Sequence, residues 1–139
     1  MNKLLLQTFI VLALAYTHSF ANEYKDIVNI ELKKDEYKKI LVKYGATQRL
    51  FKFRWTLFTN GGLVIFKSFD RIVSQNILYL RHKNQSFRVE LMTRGANPYA
   101  VPYILVKFNE FDYETSKAKF QLFLSDPNSK VALEYLDDK

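Results

Sequence analysis

The sequence predicts a mainly β fold, either an antiparallel β-sandwich or a partly closed barrel, with one N-terminal α-helix. Three observations predict this class. From Arg49 onward apolar and polar residues alternate with a period of two, which is the side-chain period of a half-buried strand. The dipeptide Asn60-Gly61 ends one alternating run, and Asn-Gly is a strong signal for a tight hairpin turn. Apolar residues recur at helical spacing in residues 35–44.

Composition limits the class further. The chain has 139 residues, of which 48% are hydrophobic and 16% aromatic, which is too apolar for a disordered chain or a coiled coil. This length suits a single domain with a sizeable core. The absence of cysteine excludes a disulfide framework, a thiolate metal site and a cysteine nucleophile.

Residues 1–21 have the pattern of a cleaved secretory signal. Lys3 gives a short positive start, an apolar stretch follows, and the small residues Ser19 and Ala21 precede the expected cleavage point. The alternative is a membrane anchor, but the apolar run is shorter than the ~20 residues that cross a bilayer. We therefore predict cleavage after Ala21, a periplasmic location with no transmembrane span after cleavage, and a single β-rich domain in residues 22–139.

The elements follow in chain order. Residues 24–32 predict a first strand, rich in Ile and Val. Residues 35–44 predict the helix, because Asp35 is a suitable N-cap and Gly45 stands where a C-cap is needed. The apolar face of this helix would consist of Tyr37, Ile40, Leu41 and Tyr44.

The rest of the chain predicts strands joined by short turns. Odd positions from Phe51 to Leu57 are apolar and would face the core. The polar segment 82–86 predicts a second hairpin, and Pro98 and Pro102 mark a loop. The predicted strands after the helix are 51–57, 63–69, 77–81, 87–92, 103–111, 117–124 and 131–136.

The residues give little support for catalysis. After signal cleavage His82 would be the only histidine, and it lies in a predicted turn where a solvated side chain is expected. None of the familiar nucleophile, metal or phosphate-loop motifs occurs in the sequence. We therefore predict a protein that is not an enzyme, with no catalytic residue, no cofactor and no metal ligand.

One acidic cluster allows an alternative. Glu110, Asp112 and Glu114 occupy alternate positions, so they would share a face if the strand continued that far. Such a row could hold Ca²⁺ or act as a glycosidase pair. The competing interpretation is a solvated strand end whose charge is neutralised by Lys117 and Lys119.

The net charge of +7 suggests an acidic partner. Nucleic acid is not predicted, because strict alternation places the aromatic residues in the core and the cations in solvent, and because the protein is expected to be exported. A loop that mixes tyrosine and proline is a second contact candidate, or it closes one end of the sandwich. The candidate partner-contact residues are Lys38, Lys39, Lys43, Lys52 and Arg54 on the basic face and Tyr99 and Tyr103 in the loop.

The combination of a signal peptide, a β-domain rich in Lys, Asn, Phe and Tyr, and no catalytic set resembles the small periplasmic accessory proteins of Gram-negative envelope machines. Scaffold subunits of polar flagellar motors are examples. The resemblance implies a structural or interaction protein that contacts other periplasmic or envelope proteins. The alternative function is a periplasmic module that binds an anionic lipid or glycan through the basic face or an aromatic-lined cavity.

Overall fold

The protein folds as two antiparallel β-sheets packed face to face. A computed structural model describes residues 24–92 and 101–136. One sheet has four strands in the order β1-β8-β7-β6, and the other has five in the order β5-β4-β3-β2-β9. The strands are β1 Asp26–Lys33, β2 Lys38–Tyr44, β3 Thr47–Thr59, β4 Gly62–Phe69, β5 Ile72–Tyr79, β6 Ser86–Glu90, β7 Tyr103–Asp112, β8 Lys117–Ser125 and β9 Ala132–Leu136. The mainly β prediction is confirmed, and in the described residues the sheets form an open sandwich rather than a closed barrel.

The predicted helix at residues 35–44 is wrong, because most of this segment is strand β2. β2 lies between β3 and β9 and pairs with both, so its backbone groups are satisfied without a helix. Ile40 and Val42 are fully buried, and both are β-branched residues that favour strands. The two expected caps are turn residues instead, since Asp35 has φ 64° and Gly45 has φ 53°.

Two tight turns join β3, β4 and β5. The predicted hairpin at Asn60-Gly61 is confirmed, with φ values of 51° and 75° that fit a type I′ turn. A second turn of the same kind joins β4 to β5 at Asp70 and Arg71, whose φ values are 50° and 69°. This turn has no glycine, so it lacks the residue pattern that usually predicts a tight hairpin.

The second predicted hairpin is wrong. β5 pairs with β4 in the five-stranded sheet, whereas β6 pairs with β7 in the four-stranded sheet. Residues 80–85 therefore carry the chain from one sheet to the other. Within this crossing the Gln85 amide donates a hydrogen bond to the His82 carbonyl at 3.1 Å. Alternation within two strands does not reveal their partners, and here the turn at residues 70–71 pairs β5 with β4.

The core lies between the sheets and is rich in phenylalanine. The ring of Phe53 meets those of Phe87 and Phe120 edge-on, with centroids 6.0 and 5.5 Å apart. Alternate residues of β6 and β8 also face inward and are buried, among them Phe87, Val89 and Leu122. The largest fully buried side chains are Phe51, Phe53, Phe108, Phe120, Ile40, Leu63, Ile65, Leu78, Leu91, Ile104, Leu122 and Leu124.

A β-bulge in each sheet changes which residues face inward. The register shifts after Trp55 in β3 and after Phe108 in β7. As a result Leu57, which alternation predicts to be buried, is 50% exposed. Phe58 and Phe111 turn inward instead, and their rings stack across the two sheets with centroids 4.0 Å apart.

Candidate interaction surface

The outer face of the five-stranded sheet carries a band of apolar side chains. Leu57 lies opposite Val64, and Val64 lies opposite Ile77, so the contacts run across three strands. Leu57 is 50% exposed and Ile77 is 45% exposed. Exposed apolar groups that are contiguous, rather than scattered singly, are typical of a binding surface. We call this set the apolar band, and its members are Leu57, Val64, Phe66, Val73, Ile77 and Tyr79.

One glycine is matched to this surface. A Cβ atom at Gly62 would lie 2.8 Å from the Tyr79 Cε1 atom, which is too close for a side chain. The two residues face each other across β4 and β5, so the Tyr79 ring covers the glycine and is only partly exposed. The absence of a side chain at this position therefore lets the end of the apolar band lie flat.

Basic residues border the apolar band on β2 and β3. Lys39 and Lys52 are directly opposite each other on the outer face. Arg54 lies opposite Phe66, which is a member of the band. The Tyr37 ring lies between two of these cations, 5.3 Å from Lys52 Nζ and 5.0 Å from the Arg54 guanidinium carbon. Three of the predicted cations thus share one face, which two neighbouring strands form rather than a helix and a strand.

Acidic neighbours reduce the charge of this face. Arg54 forms an ion pair with Asp35 at 3.3 Å, and Lys43 forms one with Glu134. These residues are partly exposed, so each pair contributes little to stability. The pairs nevertheless hold the cations in place and weaken their long-range attraction for an anionic surface.

The structure separates the other predicted contact residues from this face. Lys38 points inward at the end of the sandwich, and its ammonium lies 5.6 Å from the centre of the Tyr135 ring. Tyr103 lies on β7 in the four-stranded sheet, where the Arg88 guanidinium covers its ring at 3.7 Å. Tyr99 and most of its loop lie outside the described residues. The candidate residues that the structure describes therefore do not form one site.

The acidic cluster forms a strand end and a turn. Glu110 is paired with Lys119 at 3.2 Å, as the interpretation of a neutralised strand end predicts. The same carboxylate raises the pKa of the Lys119 ammonium. Lys117 differs from that interpretation, because it lies 3.5 Å from Glu31.

Asp112 holds the turn between β7 and β8. Its Oδ1 accepts hydrogen bonds from the amides of Glu114 and Thr115 at 3.0 and 3.1 Å. The bonds to Thr115 and the amide of Glu114 lower the pKa of Asp112, since they favour the charged carboxylate. In the described ranges, no group of three or more His, Cys, Asp or Glu side chains could hold a metal ion.

A small cleft lies where β6 packs under β4 and β5. Its volume is about 180 Å³. Lys67 points into the sandwich there, with its ammonium 4.4 Å from the centre of the Phe87 ring. Burial lowers the pKa of this lysine. The cleft is lined by Phe51, Lys67, Phe69, Ile72, Ser74, Arg88 and Val89.

Sequence reasoning found the cations of this surface but not the apolar band. The missed signal is in β5, where Ile72 and Val73 are adjacent, as are Ile77 and Leu78. Apolar residues at both parities give a strand that is apolar on both faces, and a two-layer sandwich leaves the outer one of those faces exposed.

No family model, curated protein or solved structure matches this chain. In the part of the chain that the structure describes, no helix is long and apolar enough to cross a membrane.

Proposed function

We propose that the protein is a non-enzymatic, exported interaction protein of the periplasm, an accessory subunit of an envelope-spanning assembly such as a flagellar motor. The observation that carries the proposal is the apolar band on the outer face of the five-stranded sheet, bordered by Lys39, Lys52 and Arg54. Interfaces between proteins combine an apolar centre with a polar rim in this way. The partner is a second envelope protein with a complementary apolar patch and acidic residues around it.

The two parts of the surface have different roles. Burial of the apolar band supplies most of the binding free energy, at roughly 25 cal/mol per Å² of apolar area removed from water. The cations act at longer range, so they steer the partner and set the association rate. Removal of a band residue should therefore raise the dissociation rate, and reversal of a rim charge should slow association.

The matched variants Leu57→Asn and Ile27→Asn test this proposal. Both residues are exposed apolar side chains on strands, at 50% and 56% exposure, but Ile27 lies in the four-stranded sheet. Tagged wild-type protein and each variant are purified from solubilised native envelopes. We expect Leu57→Asn to lose the co-purified partner and Ile27→Asn to retain it. Recovery of the same partner with both variants, or of none with the wild type, contradicts the proposal.

An anionic lipid or glycan is the second candidate ligand. It is favoured by the facing pair Lys39 and Lys52, whose charges add at the centre of the basic face. Sedimentation with phosphatidylglycerol vesicles separates the two functions. Attachment to lipid headgroups would be lost between ~0.05 and ~0.2 M salt, because screening shortens the range of electrostatic attraction. Lys52→Glu would abolish this attachment, whereas Leu57→Asn would preserve it.

A further inference from the structure

The strand β5 is an edge without the usual protection. Among the described strands, four lie at sheet edges, namely β1, β6, β5 and β9. Edge strands usually carry charges that prevent pairing with another chain. β1 contains three charged residues, β6 two and β9 one, whereas the eight residues of β5 contain none.

The first half of β5 is exposed on both faces. Ile72, which has the inward parity, is 73% exposed, and Val73, which has the outward parity, is 69% exposed. Ser74 and Gln75 are exposed as well. The opposite sheet therefore covers little of the first half of β5, and no described strand pairs with its free edge.

Backbone geometry fixes which groups β5 offers at its edge. In the type I′ turn that joins β4 to β5, the Phe69 carbonyl accepts a hydrogen bond from the Ile72 amide. The N–H group of Ile72 therefore points toward β4. Directions alternate along the strand, so Val73 and every second residue after it point toward the free edge. Tyr79 has this parity, and its amide donates to the Asn84 carbonyl at 3.0 Å, outside the sheet.

We propose that β5 pairs antiparallel with β5 of a second copy of the chain, about a two-fold axis at Gln75. Only residues with edge-facing groups can form the hydrogen-bonded pairs. An axis at Gln75 places this residue opposite Gln75 of the second copy. It also places Val73 opposite Ile77 of the second copy. This register yields six backbone hydrogen bonds by geometry, two from each of three pairs. An axis at Asn76 would instead pair Val73 with Tyr79 of the second copy. That pair would need the Tyr79 amide as a donor, but this amide already donates to the Asn84 carbonyl.

This register also matches the side chains. On the outer face it pairs Val73 with Ile77 of the second copy, both of them apolar and exposed. On the inner face it pairs Ile72 with Leu78 of the second copy. Apolar pairs directly opposite each other stabilise a sheet, and no like charges meet.

A polar group with no partner supports the same register. The Oδ1 atom of Asn76 is buried and accepts no hydrogen bond from a described residue. Buried polar atoms are normally paired, so such an atom calls for an explanation. In the proposed dimer Asn76 lies opposite Ser74 of the second copy at a closely spaced pair of residues, where the serine hydroxyl can donate to it.

The dimer goes beyond the proposed function and does not depend on it. The two five-stranded sheets would form one continuous sheet of ten strands by this pairing. The outer faces lie on the same side, since residues of equal parity are paired. Val73 and Ile77 would then join the two apolar bands into a single surface.

Sedimentation velocity on the purified protein tests the dimer without any partner. We expect a concentration-dependent dimer for the wild type. Gln75→Lys and Gln75→Glu each place like charges at the axis, and each should raise the dimer dissociation constant by roughly tenfold or more. An equimolar mixture of the two variants should dimerise again, because lysine then faces glutamate.

The control is Ile27→Lys, which puts a lysine at the exposed edge strand β1. It should dimerise like the wild type. Three results would each overturn the proposal: a monomeric wild type, an equal loss of dimer in Ile27→Lys, or a mixture of the two Gln75 variants that stays monomeric. Because these variants leave Leu57 unchanged, failure of the dimer is distinguishable from failure of the partner interaction.

Cross-linking tests the register directly, since the chain has no cysteine of its own. In a hydrogen-bonded antiparallel pair the Cα atoms are about 5.5 Å apart, which is within the range of a disulfide. Gln75→Cys should therefore form an oxidised dimer. Val73→Cys alone should not, whereas a mixture of Val73→Cys and Ile77→Cys should. Efficient cross-linking of Val73→Cys to itself would refute the proposed register.

Discussion

Asp126 provides the sharpest test of how the two sheets are connected. The chain leaves β8 in the four-stranded sheet at this residue and enters β9 in the five-stranded sheet a few residues later. The carboxylate is buried, and it accepts hydrogen bonds from the amides of Lys130 at 3.1 Å and Val131 at 2.9 Å. Lys25 Nζ lies 3.7 Å from the same carboxylate.

Asp126→Ala removes both acceptors and leaves the two amides without partners. The Val131 amide is buried and the Lys130 amide is half-buried. An unsatisfied buried donor costs about 1–3 kcal/mol, and a half-buried one costs less because water reaches it, so we expect a total of about 2–4 kcal/mol. Asp126→Asn keeps one oxygen but turns an amide group toward the other donor, so it should cost about half as much.

The assay is urea unfolding at neutral pH, followed by the fluorescence of Trp55. This residue is the only tryptophan of the chain and is buried in the core. The control is Lys25→Met, which removes a partly exposed ion pair and the hydrogen bond that Lys25 Nζ donates to the Val131 carbonyl at 3.3 Å. Because the ammonium is partly exposed, this variant should cost about 1 kcal/mol. The reasoning is refuted if Asp126→Ala lies within ~0.5 kcal/mol of the wild type, or if Lys25→Met costs as much as Asp126→Ala.

Three further changes probe other parts of the fold. Gly61→Ala should destabilise the protein by about 1 kcal/mol, because φ is 75° at this residue, and a lower urea midpoint would show it. Trp55→Phe should cost about 1–2 kcal/mol, measured by circular dichroism, since the indole donates to the buried Leu32 carbonyl at 2.8 Å. Asp112 has a lowered pKa in the folded state, so its contribution is present above its ordinary value of 3.8 and is lost as pH falls through the lowered pKa. As pH falls through that acidic range, the free energy of unfolding should therefore decrease less for Asp112→Asn than for the wild type. Equal slopes of the free energy of unfolding against pH would contradict this account.

The candidate surface was only half visible in the sequence. Lys52 and Arg54 were placed correctly on an outer face, because alternation with Phe51 and Phe53 fixes their side of the strand. Lys38 was assigned to the same face, but its parity in β2 turns it inward. The exposure of Leu57 depends on a bulge, and a bulge follows from pairing with β4 rather than from the composition of β3.

Features that depend on near neighbours in the chain could be predicted from the sequence alone. The alternation that buries Phe51, Phe53 and Trp55 and the Asn60-Gly61 turn are such features, since a strand's side-chain period and a turn's φ angles are local properties. The other features depend on contacts between residues that are distant in the chain. Residues 38–44 fit a helix or a strand by spacing, and pairing with β3 and β9 selected the strand. The free edge of β5 is likewise a result of strand order, because β5 pairs with β4 on one side and ends the sheet on the other. No local pattern specifies which strand lies at the end of a sheet.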